Sequence, residues 1–77
     1  MNYHIVYVKY DEVSQGENRK IEVYQDNWDG ALARFYSEMN DIVTNQRYSH
    51  GYVNIEDDYG KVLKHDYYER SVEPISV

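Results

Sequence analysis

The three histidines are the side chains best suited to acid–base chemistry or metal binding near neutral pH. His4, His50 and His65 lie far apart in the sequence, and their spacing is not that of a metal site. We therefore expect hydrogen-bonded, partly buried imidazoles at His4 and His65, an exposed ring at His50, and no bound metal.

A run of carboxylates near the middle of the second half resembles a calcium-binding loop at first sight. Glu56, Asp57 and Asp58 precede Gly60, but this glycine stands one position late for such a loop, and no glutamate closes it. The flanking residues follow strand patterns rather than helical ones. The segment Glu56–Gly60 is therefore predicted to be a hairpin turn with an acidic tip.

The motifs of catalysis are missing from the sequence. The chain has no cysteine to act as a thiolate, no G-x-S-x-G segment and no glycine-rich loop that could bind phosphate. We predict no catalytic residue, no cofactor and no enzymatic activity.

Tyrosine is the most unusual feature of the composition. Ten of the 77 residues are tyrosine, whereas phenylalanine and tryptophan occur once each. A tyrosine ring packs like an apolar group, but its hydroxyl needs a partner or water, so tyrosine suits half-exposed surfaces. This composition predicts a domain that exposes much of its aromatic area.

Hydrophobic periodicity predicts two strands, one helix and two more strands. Period-two patterns and turn residues define the strands, with a long loop at Asp11–Asn18. Strand 1 is apolar on both sides, which predicts a central position in the sheet. The predicted elements are strands at Asn2–Tyr10, Arg19–Gln25, Tyr48–Ile55 and Lys61–Glu69, and a helix from about Asn27 to about Asn45.

The helix carries its apolar residues at spacings of three and four, which indicates one buried stripe. Asp26 is the expected N-cap, and Gly30 suggests a close approach of the helix to the sheet. The stripe is Trp28, Leu32, Phe35, Met39 and Ile42, with Arg34, Ser37, Glu38 and Asp41 on the other side.

These elements predict an α+β fold, a small ββαββ domain whose four-stranded antiparallel sheet has one helix packed across one face. We expect a single domain over residues 1–71 and a frayed C-terminal tail at 72–77. One helix cannot cover both faces of a sheet, so the second face must meet water or a partner.

Strand alternation assigns the tyrosines to faces, provided that the aliphatic residues point to the helix. With Val6, Val8, Ile21, Val23 and Leu63 facing the helix, His4 and His65 also face it. The tyrosines that then face away, and are predicted to bind a partner together with Glu56, Asp57 and Asp58, are Tyr3, Tyr7, Tyr24, Tyr48, Tyr52 and Tyr68.

Three uses of such a tyrosine face remain open. The rings could stabilise the sheet through cross-strand pairs, form a recognition surface for another protein, or pack in the subunit interface of a homodimer. Aromatic sheets also bind RNA, but those need a basic surround. Acidic residues outnumber basic ones here, 14 to 8, so direct nucleic-acid binding is not expected.

The net charge of −6 favours a partner protein with a basic surface. In size, acidity and lack of cysteine the chain resembles small inhibitors made by phages and mobile elements, including anti-CRISPR and anti-restriction proteins. This resemblance of general character implies a protein that occludes a basic nucleic-acid-binding groove. The alternative is a homodimeric structural or accessory domain.

The hydropathy of the chain gives no sign of a membrane segment. No apolar run approaches the ~20 residues that span a bilayer, and the first residues lack the charged and apolar regions of a signal peptide. We expect a cytoplasmic protein that does not bind membranes.

Overall fold

Four strands and one helix make up the computed structural model, which describes residues 1–70. The order ββαββ and the α+β class are confirmed. The predicted tail at 72–77 lies outside the described residues. The elements are β1 (Asn2–Asp11), β2 (Gly16–Gln25), α1 (Trp28–Thr44), β3 (Tyr48–Glu56) and β4 (Val62–Glu69).

The strands form one sheet in the order β2-β1-β3-β4. Every neighbouring pair is antiparallel, and β1 is central as predicted. The helix connects β2, at one edge, to β3 on the far side of β1. In the part of the chain that the structure describes, the sheet therefore has two free edges, β2 and β4, and one face that the helix does not cover.

The first hairpin is tighter than the predicted loop at Asp11–Asn18. Strand pairing continues to Asp11 opposite Gly16, so only four residues form the turn. The Asp11 carboxylate accepts hydrogen bonds from the backbone amides of Val13 (2.8 Å) and Ser14 (3.3 Å), and Gln15 takes a φ of 56°. These local hydrogen bonds form a tight turn in place of the predicted long loop.

Asn27 rather than Asp26 is the N-cap of α1. Its Oδ1 accepts a hydrogen bond from the Gly30 amide at 2.9 Å. A Cβ on Gly30 would lie 2.4 Å from the Asn27 side chain, so this glycine makes room for the cap and not for the sheet. Asp26 has a φ of 48°, and its carboxylate binds the N-terminal amine at 2.6 Å.

The core lies between α1 and the two central strands. The predicted stripe is confirmed at Phe35, Met39 and Ile42, which are buried, while Trp28 and Leu32 lie at its margin. The helix residues pack on four residues of β1 and β3: Ile5, Tyr7, Val53 and Ile55. Tyrosine thus belongs to the core as well as to the surface.

The predicted assignment of faces is wrong on three of the four strands. On β1, Ile5 and Tyr7 face the helix, and the ring of Tyr3 packs edge-on against Trp28. Tyr24 on β2 and Tyr68 on β4 also pack against the core. The aliphatic residues of β1 and β2 that were expected inside point the other way: Val6, Val8, Ile21 and Val23. On β4 the pairing shifts register beside Leu63, so alternation does not assign its face. On β3 the phase is correct at Tyr52, Val53 and Ile55, but not at Tyr48, which lies beyond a register shift.

Candidate interaction surfaces

The sheet face opposite α1, here called the open face, consists of four rows of side chains that run across the strands. Strand register places directly opposed residues on the same face. The rows are Val23–His4–Glu56–Val62, Ile21–Val6–Asn54–His65, Arg19–Val8–Tyr52–Tyr67 and Glu17–Tyr10–His50–Glu69.

The two outer strands of the open face expose apolar and aromatic side chains. Ile21, Val23 and Tyr67 each expose more than half of their surface, although two of them are β-branched aliphatic residues. Val6 and Val8 lie between the outer strands and are buried under their larger neighbours. A sheet that ended in water would carry polar residues here, so this patch is suited to contact with another molecule.

All three histidines lie on the open face, so the prediction that His4 and His65 face the helix is wrong. His50 stacks on Tyr10, with ring centres 5.1 Å apart and planes 10° from parallel. His65 contacts Asn54 through Nδ1, and its ring lies 6.2 Å from that of Tyr52. The Arg19 guanidinium donates to the Tyr52 hydroxyl at 3.4 Å. The rings therefore form a polar aromatic part of the face, on β3 and β4 and at Tyr10 of β1.

Carboxylates mark both ends of the open face. Glu56 lies in the first row and Asp58 binds His4 beside it, while Glu17 and Glu69 lie in the last row. Arg19 is the one lysine or arginine in the four rows. The face thus combines exposed apolar side chains with acidic ends.

The predicted acidic tip is built into the hairpin between β3 and β4. Asp57 accepts hydrogen bonds from the amides of Tyr59 and Lys61 at 2.8 and 2.9 Å. Asp58 accepts from the amide of Asn2 and contacts His4, and these two groups hold the pKa of Asp58 below its usual range. Both carboxylates therefore fold the turn and attach it to the start of β1.

Of the six tyrosines predicted to bind a partner, the structure places Tyr52 alone on the open face. Four of the others pack toward the helix, and the ring of Tyr48 lies on the helix side under the ammonium of Lys9. Sequence reasoning missed Tyr10 and Tyr67, which do lie on the open face. The same strand alternation places both on the open face if the other set of residues is assigned to the helix side.

A second surface lies on the helix side, where α1 leaves the inner face of β2 partly uncovered. This groove has a volume of about 320 Å3. Its lining residues are Tyr7, Lys9, Asn18, Lys20, Arg34, Glu38 and Tyr48.

An ionic network forms the floor of the groove. Glu38, which the sequence places on the solvent side of the helix, is buried and pairs with Lys9 and with Arg34, the latter at 3.0 Å. Lys9 also binds Asp41 at 2.6 Å. Burial disfavours the Lys9 charge, but hydrogen bonds from its ammonium to Asp41 and Glu38 raise its pKa on balance. These charges neutralise one another, so the network holds the helix on the sheet.

The described residues include no cluster suited to a metal ion and no helix suited to crossing a membrane. Within residues 1–70, no group of three or more His, Asp or Glu side chains is arranged to hold a metal ion. The helix in this part of the chain is too short and too polar to cross a bilayer.

Comparisons with known proteins give no indication of function. No protein-family model matches the chain, and searches of curated proteins and of solved structures find no significant match.

Proposed function

We propose that this chain is a small acidic protein-binding module that docks through its open face. The observation that carries the proposal is the exposure of Ile21, Val23 and Tyr67 on that face, between acidic ends. Protein interfaces combine an apolar core with a polar rim in the same way. The partner that fits is a protein with an apolar patch flanked by lysine and arginine.

The dimensions of the open face favour a reversible complex. The first and last rows are six residues apart along β1, which is roughly 20 Å, and four strands span roughly 14 Å. This area is smaller than the ~800 Å2 that each partner buries in a standard interface. The turns at the two ends can extend the contact, and exposed charges there speed the encounter with a basic partner.

The finer form of the proposal is inhibition of a nucleic-acid-binding protein. A net charge of −6 on 77 residues matches a surface that otherwise holds phosphates. Binding there would occlude the groove, as the general resemblance to phage inhibitors implies. In that case the nucleic acid and this chain compete for the same partner.

A second copy of the chain fits the open face less well. If two such faces packed against each other in a two-fold dimer, carboxylates would meet at both ends, because Glu56 and Asp58 mark one end and Glu17 and Glu69 the other. Like charges brought together in this way oppose association. The acidic ends therefore favour a basic partner.

Paired variants with matched exposure test the proposal. Ile21→Ser with Tyr67→Ser alters the open face, where these residues are 58% and 51% exposed. Val43→Ser with Tyr36→Ser alters the outer side of α1, where the exposures are 41% and 54%. Each protein is immobilised, its fold is checked by circular dichroism, and proteins retained from a bacterial lysate are identified by mass spectrometry.

The expected result is a basic protein that the wild type and the helix variant retain and the open-face variant loses. Retention should weaken as salt rises, because exposed charges are screened beyond ~10 Å at 0.1 M ionic strength. Loss with the helix variant instead, or equal retention by all three proteins, would contradict the proposal. Displacement of the partner by DNA or RNA would support the inhibitory form, and no displacement would contradict that form alone.

A further inference from the structure

Within residues 1–70, the outer edge of β4 has no neighbouring strand, and its outward backbone groups belong to defined residues. The Arg70 amide donates to the Ser49 carbonyl at 2.7 Å, which makes these opposed residues a hydrogen-bonded pair. Hydrogen-bonded pairs alternate along an antiparallel ladder, so Tyr68, Asp66 and Lys64 also bond to β3. By the same alternation, the backbone groups of His65, Tyr67 and Glu69 point to the free edge, where the Tyr67 amide donates to the Asp66 carboxylate of its own chain at 2.8 Å. The alternation stops at the register shift between Ile55 and Glu56, before Leu63.

Two opposite charges without ion-pair partners lie side by side on this edge. Lys64 and Asp66 are opposite Ile55 and Val53, so both lie on the helix side. Within residues 1–70, neither forms a salt bridge. The Lys64 ammonium lies 5.2 Å from the centre of the Phe35 ring instead. On the other side of the strand, Tyr67 is 51% exposed.

We propose that β4 pairs with β4 of a second copy, antiparallel and centred on His65, to form a continuous eight-stranded sheet. This register places Lys64 opposite Asp66 of the partner, and Asp66 opposite the partner's Lys64. Opposite charges directly across two strands stabilise their pairing. The Oδ1 of Asp66 accepts from the Tyr67 amide, and its Oδ2 is the oxygen that meets the partner's lysine. The outward backbone groups of the two His65 residues provide two hydrogen bonds at the centre of the pairing.

Charge excludes the neighbouring registers. Hydrogen-bonded pairs between the two chains form only between residues whose backbone groups point outward. Each allowed change of register therefore moves the two-fold axis by one residue along β4. An axis at Lys64 would place two lysines opposite each other, and an axis at Asp66 would place two aspartates there. Like charges directly opposite destabilise a strand pair. The axis at His65 is the one of the three that opposes unlike charges.

The β2 edge is less suited to the same pairing. Its Lys20 could face Glu22 of a second copy, but the Glu22 carboxylate already accepts hydrogen bonds from Tyr7 at 2.7 Å and Arg34 at 2.9 Å. The first half of β2, from Glu17 to Lys20, is polar and exposed, which is how proteins protect free edges from association. The two edges therefore differ in what they offer a second copy.

Charge reversal gives a test that contains its own folding control. Sedimentation from low micromolar to millimolar concentration should show a dimer for the wild type. In a dimer of Lys64→Glu, the new glutamate lies opposite Asp66 of the second copy. In a dimer of Asp66→Lys, the new lysine lies opposite Lys64 of the second copy. Each variant alone should dimerise more weakly, with a Kd higher by on the order of tenfold or more, because two attractive pairs become repulsive.

An equimolar mixture of the two variants should recover the affinity. In the mixed pair, the new glutamate of one variant faces the new lysine of the other, and the retained Asp66 faces the retained Lys64. Every opposed charge is then unlike again, and recovery shows that both variants are folded. Lys20→Glu on β2 is the matched control and should dimerise like the wild type. A wild type that stays monomeric at all concentrations overturns the proposal. So does a mixture that fails to associate, or a dimer that Lys20→Glu disrupts and Lys64→Glu does not.

Discussion

At the scale of single residues, Tyr7 explains why a core position carries tyrosine instead of phenylalanine. The ring is buried beneath α1, and the hydroxyl donates to Glu22 at 2.7 Å. Burial raises the pKa of Tyr7, and the hydrogen bond from its hydroxyl holds the pKa of Glu22 below its usual range. Arg34 binds the same carboxylate from the helix. The Tyr7 hydroxyl thus donates a hydrogen bond to the Glu22 carboxylate at the edge of the core.

Replacing Tyr7 by phenylalanine tests this role. The free energy of unfolding should fall by about 1–2 kcal/mol, because a hydrogen bond to a charged group is lost while the ring is kept. Tyr36→Phe is the control, since that ring is exposed and its hydroxyl has no hydrogen bond among the described residues; it should change stability by less than about 0.5 kcal/mol. Urea denaturation measures both, and equal effects would contradict the assigned role of the hydroxyl.

At the scale of elements, Gly51 sets how closely the helix and two strands approach. A Cβ at this position would lie 2.5 Å from the carbonyl oxygen of Val8 and 2.9 Å from the Cδ1 of Ile42. Because the obstructing atom on β1 belongs to the backbone, it cannot move aside cheaply. Packing therefore requires a glycine at this position.

Gly51→Ala should therefore destabilise the protein by about 1–3 kcal/mol, the usual cost of overpacking a core. Gly16→Ala, at the start of β2, is the matched control because nothing lies within 4 Å of the added Cβ and its φ is not in the left-handed region. That variant should be neutral. Thermal unfolding of the two proteins compares them directly, and a neutral Gly51→Ala would show that the helix can shift without cost.

At the scale of the whole molecule, acidic groups stabilise a chain that is already strongly negative. Arg47 holds the pKa of Asp11 below its usual range, as Tyr7 and Arg34 do for Glu22 and the Asn2 amide does for Asp58. For each of these groups the folded pKa lies below the unfolded one. The unfolded chain therefore binds more protons in acid, and stability falls as the pH falls.

The free energy of unfolding should be steady near neutral pH and decline as the pH drops below about 4.5, the ordinary pKa of glutamate. Glu22→Gln should lower stability at neutral pH and make the acid decline shallower, with Asp11 and Asp58 still contributing below about 3.8. Urea titrations at a series of pH values measure both slopes. Identical slopes would show that Glu22 does not carry this dependence.

Periodicity and turn chemistry were sufficient to predict the order of elements and the helix stripe at Phe35, Met39 and Ile42. They could not assign the faces. On β1, both Ile5 with Tyr7 and Val6 with Val8 form an apolar set. Alternation shows which residues share a face but not which face meets the helix, and a wrong choice of phase reverses every side chain.

The sequence by itself determined the α+β class, the central position of β1 and the existence of one uncovered sheet face. Tertiary structure alone decided what that face carries. A helix can bury a tyrosine ring as well as an aliphatic one when a neighbour such as Glu22 accepts its hydroxyl, and that partner is contributed by another strand. Aliphatic residues of β2 were thereby left on the open face, and four of the tyrosines that composition had suggested for the surface became part of the core or its border.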